Sequence, residues 1–487
     1  MKSNSRPLSV FWSLLPLFLL MIMLSVAVHT FGSDVLEGAS QISLLVVSAV
    51  CVLIGITVHK AHWLEFEKAI RHNISNTATA IIVLLVIGAL SSAWMISGVV
   101  PLLIYYGTMI IRPEIFLASS CIICALVSVM TGSSWTTIAT IGIALMGIGR
   151  AEGFSEGWIA GAIISGAYFG DKISPLSDTT ILASSVTGVP LFSHIRYMLF
   201  TTVPSLLIAL FIFVLSGFIT DVTDANHVNM LNAALVSRFH LSPWLLLVPL
   251  LTGVMIARRL PSLVTLFLST VLAVLAAVIF QPNLLLEVAG EGGSVFKGAM
   301  MTLYGSTSLP TDDAMLTSLV ATRGMSGMLN TIWLILCAMC FGGCMSAAGM
   351  IEGITHMFVR LVRGTASLVA GTVGAGLFFN LATADQYISI LLTGNMFKDY
   401  YDRSGYERRL LSRTTEDAVT VTSVLVPWNT CGMTQSTVLG VATLTYLPYC
   451  FFNYLSPLMS ILVAAIGWKI VHKSVGDKET DKIERLA

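Results

Sequence analysis

The segment GAYFGDKISPLSDTTILASS, residues 166–185, sets Asp171, Lys172 and Asp178 among small and apolar residues. An ionisable group at membrane depth costs several kcal/mol unless it is paired or wetted, so it is read first as a functional site. Asp171 or Asp178 supplies negative charge, and Ser174, Ser177, Thr179 and loosened carbonyls supply the neutral oxygens that a small hard cation prefers. That makes Asp171 and Asp178 the candidate ligands for a metal cation. Gly166, Gly170 and Pro175 argue against a continuous helix and predict a broken one, with free N–H and carbonyl groups at the break. Lys172 weakens cation binding unless its side chain is directed elsewhere, and a buried Asp–Lys pair that merely pins the break is the competing reading. For Asp178, capping the helix that follows competes with a ligand role.

Three other polar groups sit in apolar runs. Trp428, Asn429, Thr430 and Gln435 offer uncharged oxygens and donors; Asn380 and Asp385 form an intramembrane pair; Thr131, Ser133 and Ser134 serve equally as backbone caps or as ligands. In 306–324, Asp312, Asp313 and Arg323 read as a solvated loop and helix start. KDYYDRSGYERRLLSRTTED, 398–417, has balanced charge and reads as a cytoplasmic loop outside the bilayer. The CIIC and CAMC pairs lie in apolar runs without histidine and read as packing residues. No Walker A, HExxH or Ser-His-Asp pattern appears, so nothing points to an enzyme or to a bound cofactor.

The elements that position these groups follow from composition. Of 487 residues, 55% are hydrophobic and 11% charged, against about 25% charged in soluble domains. The formal net charge is zero, which leaves no basic surface for nucleic acid. Apolar runs cover 8–31, 39–58, 77–111, 114–149, 156–186, 197–220, 241–257, 260–281, 325–351, 364–397 and 418–468, the last breaking near Pro448. Lys2 and Arg6 precede the first run as in a signal peptide, but its length and the want of a cleavage site make it a first spanning helix. Lys2, Arg6, Lys60, Lys68, Arg71, Arg258, Arg259, Lys469, Lys473 and Lys478 mark cytoplasmic segments; Asp34, Glu37, Asp221 and Asp224 mark external ones. Both termini are then cytoplasmic.

The runs 114–149 and 364–397 are too long for one span, and each fits a re-entrant hairpin with its tip at MTGSSW or NLATADQ. The expected fold is an all-α polytopic membrane protein with inverted-topology repeats, each of about five spanning helices plus a hairpin, and with broken helices at the midplane. The repeats occupy 1–220 and 241–472, joined by an external linker 221–240 and followed by a cytoplasmic tail 473–487. Aligning Ser165 with Ser423 sets Asp171 opposite Asn429, and the two tips at Thr131 and Thr383 are expected to meet beside them.

GAYFGDKISPLSDTTILAS resembles the signature of the NhaC family of Na+/H+ antiporters, and TGSSWTTIATIGIAL, NLATADQYISILLTGNMF and LVPWNTCG resemble its other segments in the same order. The resemblance spans about residues 60–470. It implies a secondary antiporter of the bacterial inner membrane, carrying Na+ and H+, surrounded by lipid, with pairing of two copies left open. Related members resemble exchangers of malate and lactate coupled to Na+ and H+, which is the alternative. Lys172, the only Lys or Arg placed at membrane depth, favours simple cation exchange. A carboxylate beside it, Asp171 first and Asp178 second, would be held in turn by a proton and by Na+, with Asp385 the next candidate.

Overall fold

The computed structural model describes residues 8–31, 37–219, 225–258, 260–309, 317, 320–360 and 364–472. Asp34, Asp221, Asp224, Arg259, Asp312, Asp313 and the charged residues of both termini lie outside them. In chain order the helices are α1 (Val10–Phe31), α2 (Ala39–Ile54), α3 (Trp63–Ile96), α4 (Val99–Ile110), α5 (Phe116–Thr131), α6 (Ser134–Thr137), α7 (Ile143–Ala151), α8 (Glu156–Ile173), α9 (Asp178–Thr187) and α10 (Leu191–Ile219). There follow α11 (Ala225–Arg238), α12 (Leu247–Ala257), α13 (Ser262–Phe280), α14 (Pro282–Ala289), α15 (Val295–Tyr304), α16 (Leu329–Ala347), α17 (Met350–Arg360) and α18 (Thr365–Thr383). The chain ends with α19 (Gln386–Arg403), α20 (Arg408–Thr415), α21 (Thr430–Leu439), α22 (Thr443–Tyr446) and α23 (Phe451–Ile466).

Among the described residues eight helices are long and apolar enough to cross a membrane, or up to ten if two bent pairs each count as one. A helix is the form these runs must take, because lipid offers nothing to an unpaired N–H or carbonyl. Large apolar side chains face outward on them, such as Leu207, Phe211 and Phe218 on α10 and Phe267 and Ile279 on α13. Water would not tolerate such continuous apolar surface. The chain is a multi-pass membrane protein.

Several boundaries differ from the sequence reading. The run 77–111 is two helices, parted at Gly98. Most of 59–76 belongs to α3, where Arg71 pairs with Glu67 on an exposed face. The 221–240 stretch holds α11, which is bent by 97° from the following 243–257 helix. The last run is interrupted before α21 as well as near Pro448.

α8 continues through Gly166 and Gly170 and stops only at Ser174, so the break lies at 174–177. The glycines serve packing. A Cβ on Gly166 would lie 2.0 Å from the Cys121 carbonyl oxygen, and one on Gly170 2.4 Å from that of Ala125. α5 and α8 therefore meet backbone to backbone, and Ser128 Oγ donates to the Ala167 carbonyl at 2.6 Å. Contact of this kind replaces the hydrophobic effect as the force joining helices in lipid.

Both long runs form helical hairpins. In the first, α5 turns at 132–133 into α6, a π-helical turn Ile138–Gly142 and α7, and Phe116 at its base stacks on Phe154 with centroids 5.3 Å apart. In the second, α18 turns at Ala384–Asp385 into α19, and Thr372 and Tyr401 share a hydrogen bond between the arms. Each hairpin is followed by a short loop, a helix and a break. The two units correspond at a constant spacing of 252 residues (383 − 131): Thr131 with Thr383, α8 and α20 beginning at Glu156 and Arg408, and the left-handed Gly188 with Gly440.

Candidate functional site

The two tips are built alike. Thr131 Oγ1 accepts from the Ser133 N–H at 3.1 Å and shares a hydrogen bond with Thr137; Thr383 Oγ1 accepts from the Asp385 N–H at 3.3 Å and shares one with Ser389. Each tip turns through a left-handed residue, Gly132 (φ 64) or Ala384 (φ 58). Each is followed by an N-cap, Ser133 accepting from the Thr136 N–H and Asp385 from the Ile388 N–H. Thr131 and Ser133 thus spend their hydroxyls on the turn itself.

The breaks correspond at the same spacing. Pro175 matches Pro427, and Ser177, N-cap of α9, matches Asn429, N-cap of α21. Asp171 therefore stands opposite Ser423, correcting its alignment with Asn429; the paired prolines were the available register mark. Ser174 Oγ donates to the Val129 carbonyl at 2.8 Å, tying the first break to its tip. At the second, Trp428 Nε1 donates to the Leu381 carbonyl at 2.8 Å, the Thr430 N–H to that of Ala384 at 2.9 Å and Asn429 Nδ2 to that of Asn380 at 3.1 Å.

Asp171 is buried, and its Oδ2 accepts from both the N–H (3.1 Å) and the hydroxyl (2.7 Å) of Ser134. Ser177 is close enough to act on the same carboxylate. Thr180 Oγ1 donates to the carbonyl of Lys172 at 2.9 Å, holding the frayed end of α8 against α9. The structure thus joins Asp171 to the hairpin through Ser134, next to the Ser133 singled out from the sequence.

Asp178 is the first residue of α9 and is exposed; the cap before it is Ser177. Asp385 is buried, with Thr430 Oγ1 donating to its Oδ2 at 3.4 Å. Asn380 Nδ2 donates to the Val419 carbonyl and to Thr422, while its Oδ1 has no partner. Both amide atoms of buried Gln435 are likewise without partners. Tyr387, just beyond the second tip, lies within electrostatic reach of Asp171, Asp178 and Asp385.

The largest correction concerns Lys172. It does not face Asp171: its ammonium donates to Asp417 Oδ1 and, at 2.8 Å, to Ser456 Oγ, with no exposed surface on Lys172 or Asp417. Thr201 Oγ1 also donates to Asp417 Oδ1 at 3.0 Å. Asp417 belongs to the stretch read as a cytoplasmic loop. In the structure α20 and the π-helical turn Glu416–Thr420 are buried, and they bring in Arg413, with Nε 3.7 Å from Asp417 Oδ2 and its guanidinium 4.9 Å from the Tyr197 ring centroid. Lys172 is therefore not the only Lys or Arg at depth. The missed signal is the uninterrupted passage from RRLLSRTTED into AVTVTSVL, with neither glycine nor proline between.

Two helical hairpins, each docked on a broken helix with a buried carboxylate beside it, define a many-helix membrane carrier. The profile of the Na+/H+ antiporter family matches residues 166–468. The Na+/H+ antiporter NhaC of Bacillus subtilis is 34% identical over 454 residues, 93% of this chain and 92% of that one. The NhaC protein of Alkalihalophilus pseudofirmus is 35% identical over 92% of this chain and 95% of its own. The malate-2H+/Na+-lactate antiporter of Bacillus subtilis is 35% identical over 88% and 89%. The chain belongs to the Na+/H+ antiporter family.

Proposed function

We propose that this protein exchanges Na+ for H+ across the bacterial inner membrane by alternating access, with Asp171 as the carboxylate that takes either ion. The observation that supports this reading is the placing of buried Asp171 at the junction of a hairpin tip and a helix break, with Ser134 on one oxygen. Hydroxyl and carbonyl oxygens around it provide the neutral partners that Na+ needs. Asp178 and Asp385, with Thr430, are the further candidates. The cargo ions are Na+ and H+, and no resident cofactor is invoked.

If the empty carrier is held from crossing, two ions competing for one carboxylate are exchanged without any other coupling device. By linkage, Na+ weakens proton binding by the factor with which protons weaken Na+ binding. Exchange of carboxylates, named in one relative, calls for a free cation at depth. Lys172 is engaged by Asp417 and Ser456, and Arg413 pairs with Asp417, which favours cation exchange.

The test is proteoliposome flux under imposed Na+ and H+ gradients. The wild type should acidify or alkalinise the lumen on a Na+ gradient and show no malate–lactate counterflow, whereas Asp171→Asn should insert and fold but move no protons on that gradient. Wild-type rates in Asp171→Asn would discard the assignment and leave Asp385→Asn as the next variant to measure. The halves are proposed to be inverted repeats with both termini cytoplasmic. A cysteine replacing Asn226 should then react with an impermeant reagent added outside whole cells, and labelling only after lysis would reverse the orientation.

A further inference from the structure

Glu416 takes no part in the exchange site described above. It opens the π-helical turn after α20 and has no exposed surface; no hydrogen bond of ordinary geometry reaches its carboxylate oxygens, and the Thr420 hydroxyl, four residues on, stands close enough to act on them. A carboxylate so placed is stable as an anion only if charge of opposite sign stands close by. Lys172, Asp171 and Asp417 all act on it electrostatically.

The charge count of the cluster follows from its ionised groups. Lys172 and Arg413 bring two positive charges, and Asp417 brings one negative. With Glu416 ionised the four groups are neutral together. With Glu416 protonated they carry one positive charge, which ionised Asp171, also within electrostatic reach of Glu416, offsets. Na+ is a poor occupant, because the neighbouring Lys172 ammonium repels it.

Of the charges on the other elements packed on this turn, Asp171 of α8 enters the count. α18 and α23 contain no charged residue, His194 of α10 bonds Ser412, Lys398 of α19 bonds the Val186 carbonyl, and Asp178 stands at the exposed start of α9. π-helical turns recur at functional sites because the widened turn frees backbone and side-chain groups. The matching residues 164–168 of the first unit are ordinary α-helix, so the feature is not imposed by the repeat.

We propose that Glu416 is a separate proton-carrying site, so that each cycle moves one proton on Glu416 in addition to the one that competes with Na+ at Asp171. In the step itself the carboxyl O–H bond breaks, the proton passes to water on the open side, and the electron pair stays on the carboxylate facing Lys172. This rests on the exchange reading above, and it makes exchange electrogenic, with two protons per Na+.

The experiment measures the Na+ gradient at which flux reverses in proteoliposomes, with the membrane potential clamped at zero and a pH difference of one unit. Two protons per Na+ place reversal at about a 100-fold Na+ gradient in the wild type, and one proton places it at about 10-fold in Glu416→Gln. Wild-type reversal near 10-fold, or equal reversal points in the two proteins, overturns the proposal. Glu416→Gln without measurable flux overturns it as well, since one proton should still exchange at Asp171. A wild type that moves no protons on any Na+ gradient would instead remove the exchange reading, and so the two failures are told apart.

Discussion

The two hairpin-and-break units share a frame and differ in where they carry charge. At the tips, Ser133 of the first unit matches Asp385 of the second; at the breaks, Asp178 matches Thr430. The carboxylate is on the break in one unit and on the tip in the other. Between tip and the segment that follows the hairpin, Ser134 donates to Asp171, whereas in the second unit Ser423 donates to Gln386 at 3.2 Å, with donor and acceptor exchanged. The repeated geometry supplies two equivalent polar junctions, and side-chain chemistry makes only the first of these pairs a charged one. Asp417 adds a further asymmetry, because it matches Ser165 yet reaches across to Lys172 of the first unit.

That asymmetry is broken most strongly at the ion pair. Asp417→Asn leaves Lys172 buried without its counter-charge, at a cost of about 3–5 kcal/mol. The melting temperature in detergent should fall by many degrees, and Lys172→Met combined with Asp417→Leu should recover part of the loss. Ser165→Ala, at the matching place, should change stability by about 1 kcal/mol or less. Equal losses in the two single variants would deny the charge its special role.

The tips offer a smaller contrast. Gly132 and Ala384 share the left-handed backbone, which costs a residue with a side chain roughly 1–2 kcal/mol. A Cβ on Gly132 would in addition lie 2.6–2.8 Å from Leu176. Gly132→Ala should therefore lower the melting temperature clearly. Ala384→Gly exchanges relief of backbone strain for a lost buried methyl and should stay within about 1 kcal/mol of the wild type. Identical shifts would show that the first tip is free to move off its break.

The smallest effect lies in the turn between α7 and α8. Glu152 is buried there with neither oxygen bonded, while the matching residue, Ser404, is exposed. Burial, and Glu114 beside it, push the Glu152 carboxyl up to about 8. The folded chain thus keeps a proton that the unfolded chain releases, so stability falls as pH rises from the ordinary carboxylate value through about 8 and is level above that. Glu152→Gln should flatten the profile of melting temperature against pH over this window, and an unchanged slope would exclude Glu152 as its source.

Much of this was legible in the sequence. Apolar runs announced the membrane helices, Pro175 the break, and the small and hydroxyl residues of MTGSSW and NLATADQ the tips, because each acts through local rules: periodicity, a missing donor, a left-handed turn. Gly166 and Gly170 misled for the same reason. Their local effect is to weaken a helix, whereas their use is to let α5 approach, and only the neighbouring helix reveals that.

Sequence alone determined that the chain lives in lipid, that two long runs fold back on themselves, and that Asp171 and Asp385 sit where a carboxylate is expensive. These follow from solvation and backbone geometry, which depend on a residue and its near neighbours. Tertiary structure alone decided that Lys172 answers to Asp417 and not to adjacent Asp171, that Ser134 holds Asp171, and that 408–420 is interior. The reason is that consecutive residues on a helix point about 100° apart, so Asp171 and Lys172 face different partners, and electrostatic pairing is settled by what the other helices bring to each face.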